Sequence, residues 1–178
     1  IRVQSGTYNE SLKIFKSVEI VGTSINDSII RSSNEGCIQV FAQNVKIQNF
    51  GLENASQNQR KYTVSISSGS LIIENCEVRS GFLAGVAVGK SVHADIIDCR
   101  ILHGQDVGVW LYDGATGNIK GTSISGHQKT GVLVGENANL TISDSQIEGN
   151  QASGFYVYSR GRARLENCRI SNNKKSGT

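Results

Sequence analysis

Four large aromatic side chains are the residues of this chain best suited to binding chemistry. They are four of its six tryptophan and tyrosine residues: Trp110, Tyr112, Tyr156 and Tyr158. Within each pair the spacing of two puts both side chains on one face of a strand. Indole and phenol rings stack on the C–H surfaces of sugars, and they also form the centres of protein interfaces. We call these four side chains the aromatic face, and they predict binding of a glycan or of a protein partner.

Titratable side chains flank the aromatic face in sequence. The candidate catalytic residues, all expected in loops beside the aromatic strands, are His103, Asp106, His127 and Lys129. An acid and a base from neighbouring repeats could come within contact range of each other. Asp113 directly follows Tyr112, is a further candidate ligand-binding residue, and shares its repeat position with Glu136. The simpler interpretation is that all of these are solvated loop residues.

The four cysteines do not have the spacing of a metal site. There is no C-x-x-C pair and no Cys/His ligand spacing, so neither a metal nor another cofactor is predicted. Three of the cysteines recur at one repeat position with two other small residues, giving the set Cys76, Cys99, Thr122, Ser145 and Cys168. A position that accepts Cys, Thr and Ser selects a small buried side chain, which indicates packing.

The elements that position these residues repeat every 23 residues. Glycine marks the repeat nine residues after the cysteine position, at Gly85, Gly108, Gly131, Gly154 and Gly177. Apolar residues recur in phase with a spacing of two, which is strand spacing. A period of this length built from short strands is typical of a solenoid.

Each repeat contains three short strands. In the first regular repeat we expect them at residues 71–74, 76–79 and 85–88, with a bend at Asn75. The bend residues, Asn75, Asp98, Gly121, Asp144 and Asn167, are types that tolerate left-handed backbone geometry. Three strands per coil around an apolar interior predict an all-β fold, a single-stranded parallel β-helix of about seven coils.

The chain is predicted to be one β-helix domain over residues 1–178. Residues 1–75 form irregular coils, with a turn at Gly6 to Tyr8 and an enlarged loop from Asn54 to Lys61, and residues 76–178 form the regular repeats. The chain has no Met and opens on a strand-like segment, so we expect it to be part of a longer protein whose other domains are further partners.

The repeats resemble those of right-handed parallel β-helices in the pectate-lyase-like superfamily. The segments that carry the resemblance are "ARLENCRISNNKKSG", "LTISDSQIEGNQASGFYV" and "LIIENCEVRSGFLAGVAV", which are similar to carbohydrate-binding and sugar-hydrolase type repeats. The opening "IRVQSGTYNESLKIFKSVEIVG" is similar to the first coil of pectin methylesterases. The resemblance implies a substrate groove on the outer face of the strands that begin at the repeat glycines, which is where the aromatic face lies.

The enzymatic motifs of that superfamily are incomplete in this sequence. After the opening there is no Gln and paired-Asp constellation, and Gly126-His127-Gln128 matches only part of the histidine motif of polygalacturonases. Clustered carboxylates for calcium with an Arg or Lys base are also missing. These departures favour a binding module over an enzyme.

Composition gives weaker guidance about partners. A net charge of +3 on 19% charged residues, without a long Lys/Arg run, does not favour nucleic acid as a partner. There is no apolar run of membrane-spanning length. Three hypotheses remain open: a non-catalytic recognition or scaffold module that binds a glycan or protein partner, a polysaccharide lyase or glycoside hydrolase acting in the same groove, and a structural spacer.

Overall fold

The computed structural model describes residues 1–55, 61–79 and 81–175, and every regular element in those ranges is a β-strand. The strands form three parallel sheets, and each strand pairs with the strands three places before and after it. The chain therefore passes through sheet I, sheet II and sheet III and then begins the next coil. This is the predicted parallel β-helix of about seven coils.

The sheets contain eight, seven and seven strands. Sheet I consists of β1 (Gly6–Asn9), β4 (Ser28–Ser32), β7 (Gly51–Asn54), β10 (Glu77–Arg79), β13 (Arg100–Leu102), β16 (Ser123–Ser125), β19 (Gln146–Glu148) and β22 (Arg169–Ser171). Sheet II consists of β2 (Leu12–Ile14), β5 (Ile38–Val40), β8 (Tyr62–Ile66), β11 (Ala84–Val88), β14 (Val107–Leu111), β17 (Val132–Val134) and β20 (Phe155–Val157). Sheet III consists of β3 (Val18–Val21), β6 (Val45–Gln48), β9 (Ser70–Glu74), β12 (His93–Ile97), β15 (Thr116–Lys120), β18 (Asn139–Ser143) and β21 (Arg162–Glu166).

The pairing register follows the sequence repeat. Val86 is opposite Val109, and Val109 is opposite Val132, so equivalent residues of successive repeats are neighbours in the sheet. The turn predicted at Gly6 to Tyr8 is wrong, because Gly6–Asn9 is β1 and pairs with β4. The predicted enlarged loop lies between β7 and β8, and residues 56–60 of it are outside the described part of the chain.

Left-handed residues make the corner between sheet III and sheet I. Its positions, with φ between 47° and 61°, are Asn49, Asn75, Asp98, Gly121, Asp144 and Asn167. The Asn75 Nδ2 group donates to Asn49 Oδ1 at 2.8 Å, so the corner amides also bond from coil to coil. The expectation of left-handed backbone at these bends is confirmed. Asn, Asp and Gly occur there because they adopt this conformation at least cost.

The corner between sheet II and sheet III uses two left-handed residues in succession. In the regular coils these are the pairs Lys90–Ser91, Asp113–Gly114, Glu136–Asn137 and Ser159–Arg160. A backbone bond closes each turn, as where the Ala115 N–H donates to the Tyr112 carbonyl at 3.1 Å. Two successive positive φ angles with this bond define a type I′ turn, which reverses the chain within two residues.

The interior is a stack of apolar layers that includes a column of small residues at the cysteine position. The Cys99 thiol is 1% exposed and donates to the Ile97 carbonyl at 3.1 Å, and the Thr122 hydroxyl accepts from the Cys99 N–H at 3.2 Å. All four cysteines are free thiols, and burial raises the pKa of Cys99 to about 12. The packing role predicted for this column is thus confirmed for Cys76 and Cys99, which are both buried.

Two further observations concern the described residues only. None of their His, Cys, Asp and Glu side chains form a group of three or more that could hold a metal ion. The described residues also contain no helix with the length and apolar character needed to span a membrane.

Candidate functional site

The aromatic face lies on the outside of sheet II and on the turns that follow it. Trp110 on β14 is opposite Leu133, and Leu133 is opposite Tyr156 on β20, so the two aromatic residues stand in one column two coils apart. Two strand spacings are about 10 Å. Trp110 is partly exposed, and Tyr156 is 41% exposed, the most open of the four rings.

The four rings contact one another and form one connected cluster. The Trp110 ring lies 4.7 Å from the Tyr112 ring, centroid to centroid, with an interplanar angle of 39°. Its Nε1–H donates to the Tyr158 hydroxyl at 3.3 Å, and the Tyr158 ring stacks on the Tyr156 ring at 6.4 Å. Contacts within and between coils therefore restrain these side chains before any ligand arrives.

Glycines make room for two of the rings. A Cβ atom on Gly135 would lie 2.2 Å from Tyr158 Cε1, and a Cβ atom on Gly89 would lie 2.5 Å from Tyr112 Cζ. Each tyrosine therefore lies flat against the glycine of the preceding coil. The Tyr158 ring therefore fills the space over Gly135, beside Trp110 and Tyr156.

Tyr62 is a member of the cluster that the sequence pattern did not reveal. Its ring meets the Trp110 ring edge-on, with the ring centroids 6.4 Å apart. Burial, with Tyr112 as the second cause, raises the pKa of Tyr62 to about 12. Because Val64 is buried and side chains alternate along a strand, the sequence pattern would place Tyr62, two residues earlier, inside the coil as well. Thr63 breaks the alternation, because it is fully buried and accepts a bond from the Gly81 N–H at 3.1 Å.

Two carboxylates border the cluster at the sheet II to sheet III turns. Asp113 and Glu136 occupy the first left-handed position of successive turns, with φ of 51° and 53°. The pKa of Tyr158 is raised, first by partial burial and then by the negative charges of Glu136 and Asp113. The acid groups therefore lie within electrostatic reach of the aromatic side chains.

Asp106 and Lys129 form an ion pair in the loops between sheet I and sheet II. These loops are at the end of the sheet II strands opposite to the turns that carry Asp113 and Glu136. Lys129 Nζ is 2.7 Å from Asp106 Oδ2, and the two side chains are 63% and 20% exposed. They belong to adjacent coils, so the structure does bring these two predicted residues together. Their charges neutralise each other.

His127 is not the loop residue on the outside that we predicted. It is 0% exposed and lies inside the solenoid. Its Nδ1 accepts from the Gly104 N–H at 3.0 Å, and its Nε2 lies 3.1 Å from the Ile101 carbonyl oxygen, which fixes the Nε2-protonated neutral tautomer. Burial lowers its pKa to about 4. With both ring nitrogens bonded internally, His127 has no position from which to reach a bound ligand.

An internal ladder explains why a histidine occupies this position. Asn150 and Asn173 hold the equivalent places in the next coils, and each accepts a backbone N–H of the preceding coil through its Oδ1 at 3.0 Å. The repeat glycines leave space for these side chains. A Cβ atom on Gly131 would lie 2.8 Å from Asn150 Nδ2 and 2.6 Å from the Gly154 carbonyl oxygen.

His103, the remaining candidate, is exposed at the corner between sheet I and sheet II. Its φ is 56°, and the equivalent positions Gly126, Gly149 and Asn172 are left-handed as well. The residue therefore satisfies a backbone requirement of the coil, and its ring lies over Gly126, where a Cβ atom would be 2.6 Å from His103 Nδ1.

A polar surface on sheet III was also missed by the sequence reasoning. A cavity of about 410 Å³ there is lined by His93, Thr116, Asn139 and Arg162 among others. The His93 ring bonds Thr116 Oγ1 at 2.8 Å through Nδ1 and Asp95 Oδ1 at 3.0 Å through Nε2. This hollow lies on a different sheet from the aromatic face, and the polar groups of His93, Thr116 and Asp95 are bonded to one another.

Comparison with known proteins identifies the family. The family described as "right handed beta helix region" matches residues 16–178. The chain belongs to this family. The match confirms the right-handed β-helix fold that was expected from the pectate-lyase-like repeats, and no curated protein matches the chain in sequence.

Solved structures of this right-handed β-helix type are similar in fold. The catalytic domain of a GH87 α-1,3-glucanase, solved with tetrasaccharides, is 14% identical, with a TM-score of 0.73 over 96% of this chain and 34% of that one. A pectin methylesterase with a bound hexasaccharide is 13% identical, with a TM-score of 0.71 over 99% and 70%. PemA of Erwinia chrysanthemi, also a pectin methylesterase, is 11% identical, with a TM-score of 0.58 over 99% and 80%. At these identities the similarity establishes the fold, and the present chain spans about a third of the glucanase domain.

Proposed function

We propose that this β-helix is a non-catalytic recognition module that binds a glycan on the aromatic face of sheet II. The observation that carries the proposal is the connected cluster of Trp110, Tyr112, Tyr156 and Tyr158, held by ring contacts and by the bond from Trp110 to Tyr158. Rings restrained before binding lose little conformational freedom when a sugar stacks on them.

The surroundings of the cluster suit a sugar. Asp113 and Glu136 carry carboxylate acceptors at its border, and sugar hydroxyl groups are donors. The glucanase and the pectin methylesterase of similar fold were solved with oligosaccharides. Those proteins make a glycan the partner to test before a protein, which would use the same aromatic side chains as an interface centre.

A lyase or hydrolase acting in the same groove is the second candidate. It is favoured by the close Asp106–Lys129 pair and by the carbohydrate-active proteins of similar fold. The burial of His127 counts against it, because that side chain is removed from the set of acid and base groups. His103, Asp106 and Lys129 remain as its catalytic candidates.

Fluorescence of Trp110, the only tryptophan, tests the proposal directly. The purified domain is titrated with α-1,3-gluco-, β-1,4-gluco- and galacturonic oligosaccharides, and each mixture is checked for cleavage products. We expect a saturable change in emission without products. Products that disappear in Lys129→Met and Asp106→Asn would establish the enzyme instead.

The repeat itself supplies matched variants for calorimetric titration. Leu133 occupies the Trp110 column one coil later, so Trp110→Leu and Tyr156→Leu place a side chain that the fold accepts. Each substitution should weaken binding about tenfold, or about 1.4 kcal/mol. Thr141→Ala on the outer face of sheet III is the control and should bind as the unmodified protein does. Unchanged affinity in both leucine variants would refute the proposal.

A further inference from the structure

A second pair of aromatic rings lies at the other end of the solenoid. Phe15 and Phe41 are stacked with their ring centroids 5.0 Å apart and an interplanar angle of 10°. Phe15 is 66% exposed, which is unusual for so large an apolar side chain in a folded domain. The proposed function, as stated above, makes no use of these rings.

The pairing register puts these phenylalanines in line with the tyrosines of the aromatic face. Ile14, Val40, Ile66, Val88, Leu111, Val134 and Val157 are successive partners in sheet II. The residue after each of them forms one column along the solenoid, and the column reads Phe15, Phe41, Ser67, Gly89, Tyr112, Gly135 and Tyr158. Backbone bonds confirm the alignment, as where the Phe41 N–H donates to the Ile14 carbonyl at 2.9 Å.

From Phe41 onward, the rings of this column recur at every second coil. When the coils are counted from Phe15 on the first, Gly89 is on the fourth coil and Gly135 is on the sixth. The Tyr112 ring lies over Gly89 and the Tyr158 ring lies over Gly135, so the two rings cover these two coils. Phe41 is on the second coil. From Phe41 onward, adjacent ring positions are therefore about two strand spacings apart, roughly 10 Å. Phe15 lies 5.0 Å from Phe41. From Phe15 on the first coil to the Tyr158 ring on the sixth, the row is five strand spacings, or about 24 Å, long.

This spacing fits an extended sugar chain parallel to the solenoid axis. An extended β-1,4-linked chain turns successive rings over and presents the same ring face at every second sugar, so every second sugar can lie over a ring position. The full row has about the length of a hexasaccharide. A chain lying across the coils would meet only one of these ring positions.

The charges beside the row favour an uncharged chain. Lys61 is paired with Glu35 and Lys129 with Asp106, so these cations are neutralised. At the turns next to the tyrosines, Asp113 and Glu136 are carboxylates. Burial is the largest cause of the raised pKa of Tyr158, and the charges of these two carboxylates raise it further. Lys90 and Arg160 are the cations at the equivalent turn positions of the regular coils, so cations and carboxylates there are equal in number. Carboxylates accept bonds from hydroxyl groups and repel uronic acids.

We propose that the row from Phe15 to Tyr158 binds an extended, uncharged polysaccharide along the solenoid axis, with Phe15 and Phe41 as its distal subsite. This inference rests on the proposed function, because it extends the same binding face. It specifies the chemical class of the ligand, its direction and its minimum length.

Chain-length dependence tests the inference. Affinities of β-1,4-linked glucose tetrasaccharide and hexasaccharide are measured by calorimetry for the unmodified protein and for Phe41→Ser, Phe15→Ser and Trp110→Leu. Serine is matched to the site, because Ser67 occupies the next position of the column. We expect the hexasaccharide to bind about tenfold more tightly than the tetrasaccharide, and the phenylalanine variants to abolish that gain while tetrasaccharide binding persists. Thermal unfolding of each variant checks that it is folded.

The outcomes separate this inference from the proposed function. Equal affinity for both lengths, with no effect of Phe41→Ser but a loss in Trp110→Leu, overturns the row and leaves glycan binding at the aromatic face intact. Tighter binding of a galacturonic hexasaccharide overturns the uncharged class. If Trp110→Leu changes binding of none of these sugars, the proposed function fails, and this inference fails with it.

Discussion

Trp110 and Tyr158 are hydrogen-bonded across two coils of the solenoid, with the indole Nε1–H donating to the phenol oxygen at 3.3 Å. The bond connects the two pairs of aromatic residues that are 46 positions apart in the sequence. Because Tyr158 also lies flat on Gly135, it holds the indole from a fixed point on the backbone. The orientation of the proposed sugar platform thus depends on a residue two repeats away.

Tyr158→Phe should loosen Trp110 without removing a ring. The indole N–H loses its partner, so we expect a stability loss of about 1 kcal/mol and a shifted Trp110 emission spectrum. Urea unfolding and fluorescence measure both effects. Tyr156→Phe removes a hydroxyl that does not accept this bond and serves as the control. A spectrum unchanged in Tyr158→Phe would contradict the role of the bond.

Two glycine substitutions should separate steric clash from backbone strain. In Gly108→Ala the new Cβ would lie 2.5 Å from the Gly131 carbonyl oxygen, so backbone atoms must move, and we expect a loss of about 3 kcal/mol or more. In Gly149→Ala the Cβ meets nothing within 4 Å, but φ is +65°, so about 1 kcal/mol is expected from conformation alone. Chemical denaturation of both variants gives the comparison. Equal losses would show that the glycine column is not selected by space.

His127 should make the protein less stable in acid. Its pKa is about 4 in the folded protein against an ordinary value of 6.5, so the unfolded chain binds more protons between these pH values. The contribution is complete above about pH 6.5 and declines as the pH falls toward 4, by on the order of 3 kcal/mol. Unfolding free energies measured across this range test it.

Two asparagine variants identify the histidine responsible for the pH dependence. His127→Asn places the residue found at Asn150 and Asn173 and should flatten the profile between pH 4 and 6.5. His103→Asn has a precedent in Asn172, which is left-handed at the same corner, and should keep the full slope. The assignment to His127 would be wrong if His103→Asn, rather than His127→Asn, flattened the curve.

The cysteines should react in an order set by burial. Burial raises the pKa of Cys37 and of Cys99 to about 12, and Cys76 is raised further, so few thiolates exist at pH 8. Cys168 is only partly buried. We expect iodoacetamide to modify Cys168 first in the native protein and the other three only on unfolding, as read by mass spectrometry of peptides. Early modification of Cys99 would indicate that the coil opens locally.

The regular part of the fold could be predicted because every regular coil has the same packing and backbone requirements. Cys76 and Cys99 repeat a small buried position, and Asn75 and Asp98 repeat a left-handed corner, so the period records both packing and backbone geometry. The strands of residues 70–79 began and ended within a residue of their predicted bounds. The irregular coils were harder, and the segment Gly6–Asn9 was mistaken for a turn because glycine there is extended rather than left-handed.

The site was predicted less completely than the fold. Trp110 and Tyr156 were identified as one outer column, because strand alternation fixes their side. Tyr62 was missed, because Thr63 interrupts that alternation by bonding inside the coil. Phe15 and Phe41 were missed as well, because the spacing of the early coils departs from 23 residues and hides their place in the column.

By itself, the sequence determined the parallel β-helix, its coil length and the side of the sheet on which the aromatic residues stand. These depend on periods of two and 23 that each local segment satisfies independently. The tertiary structure alone decided that His127 lies inside, that Tyr158 closes the space over Gly135, and that Phe15 and Phe41 join the aromatic row. The reason is that each of these depends on which side chain of a neighbouring coil fills the space beside a residue, and that space is created only when the coils stack.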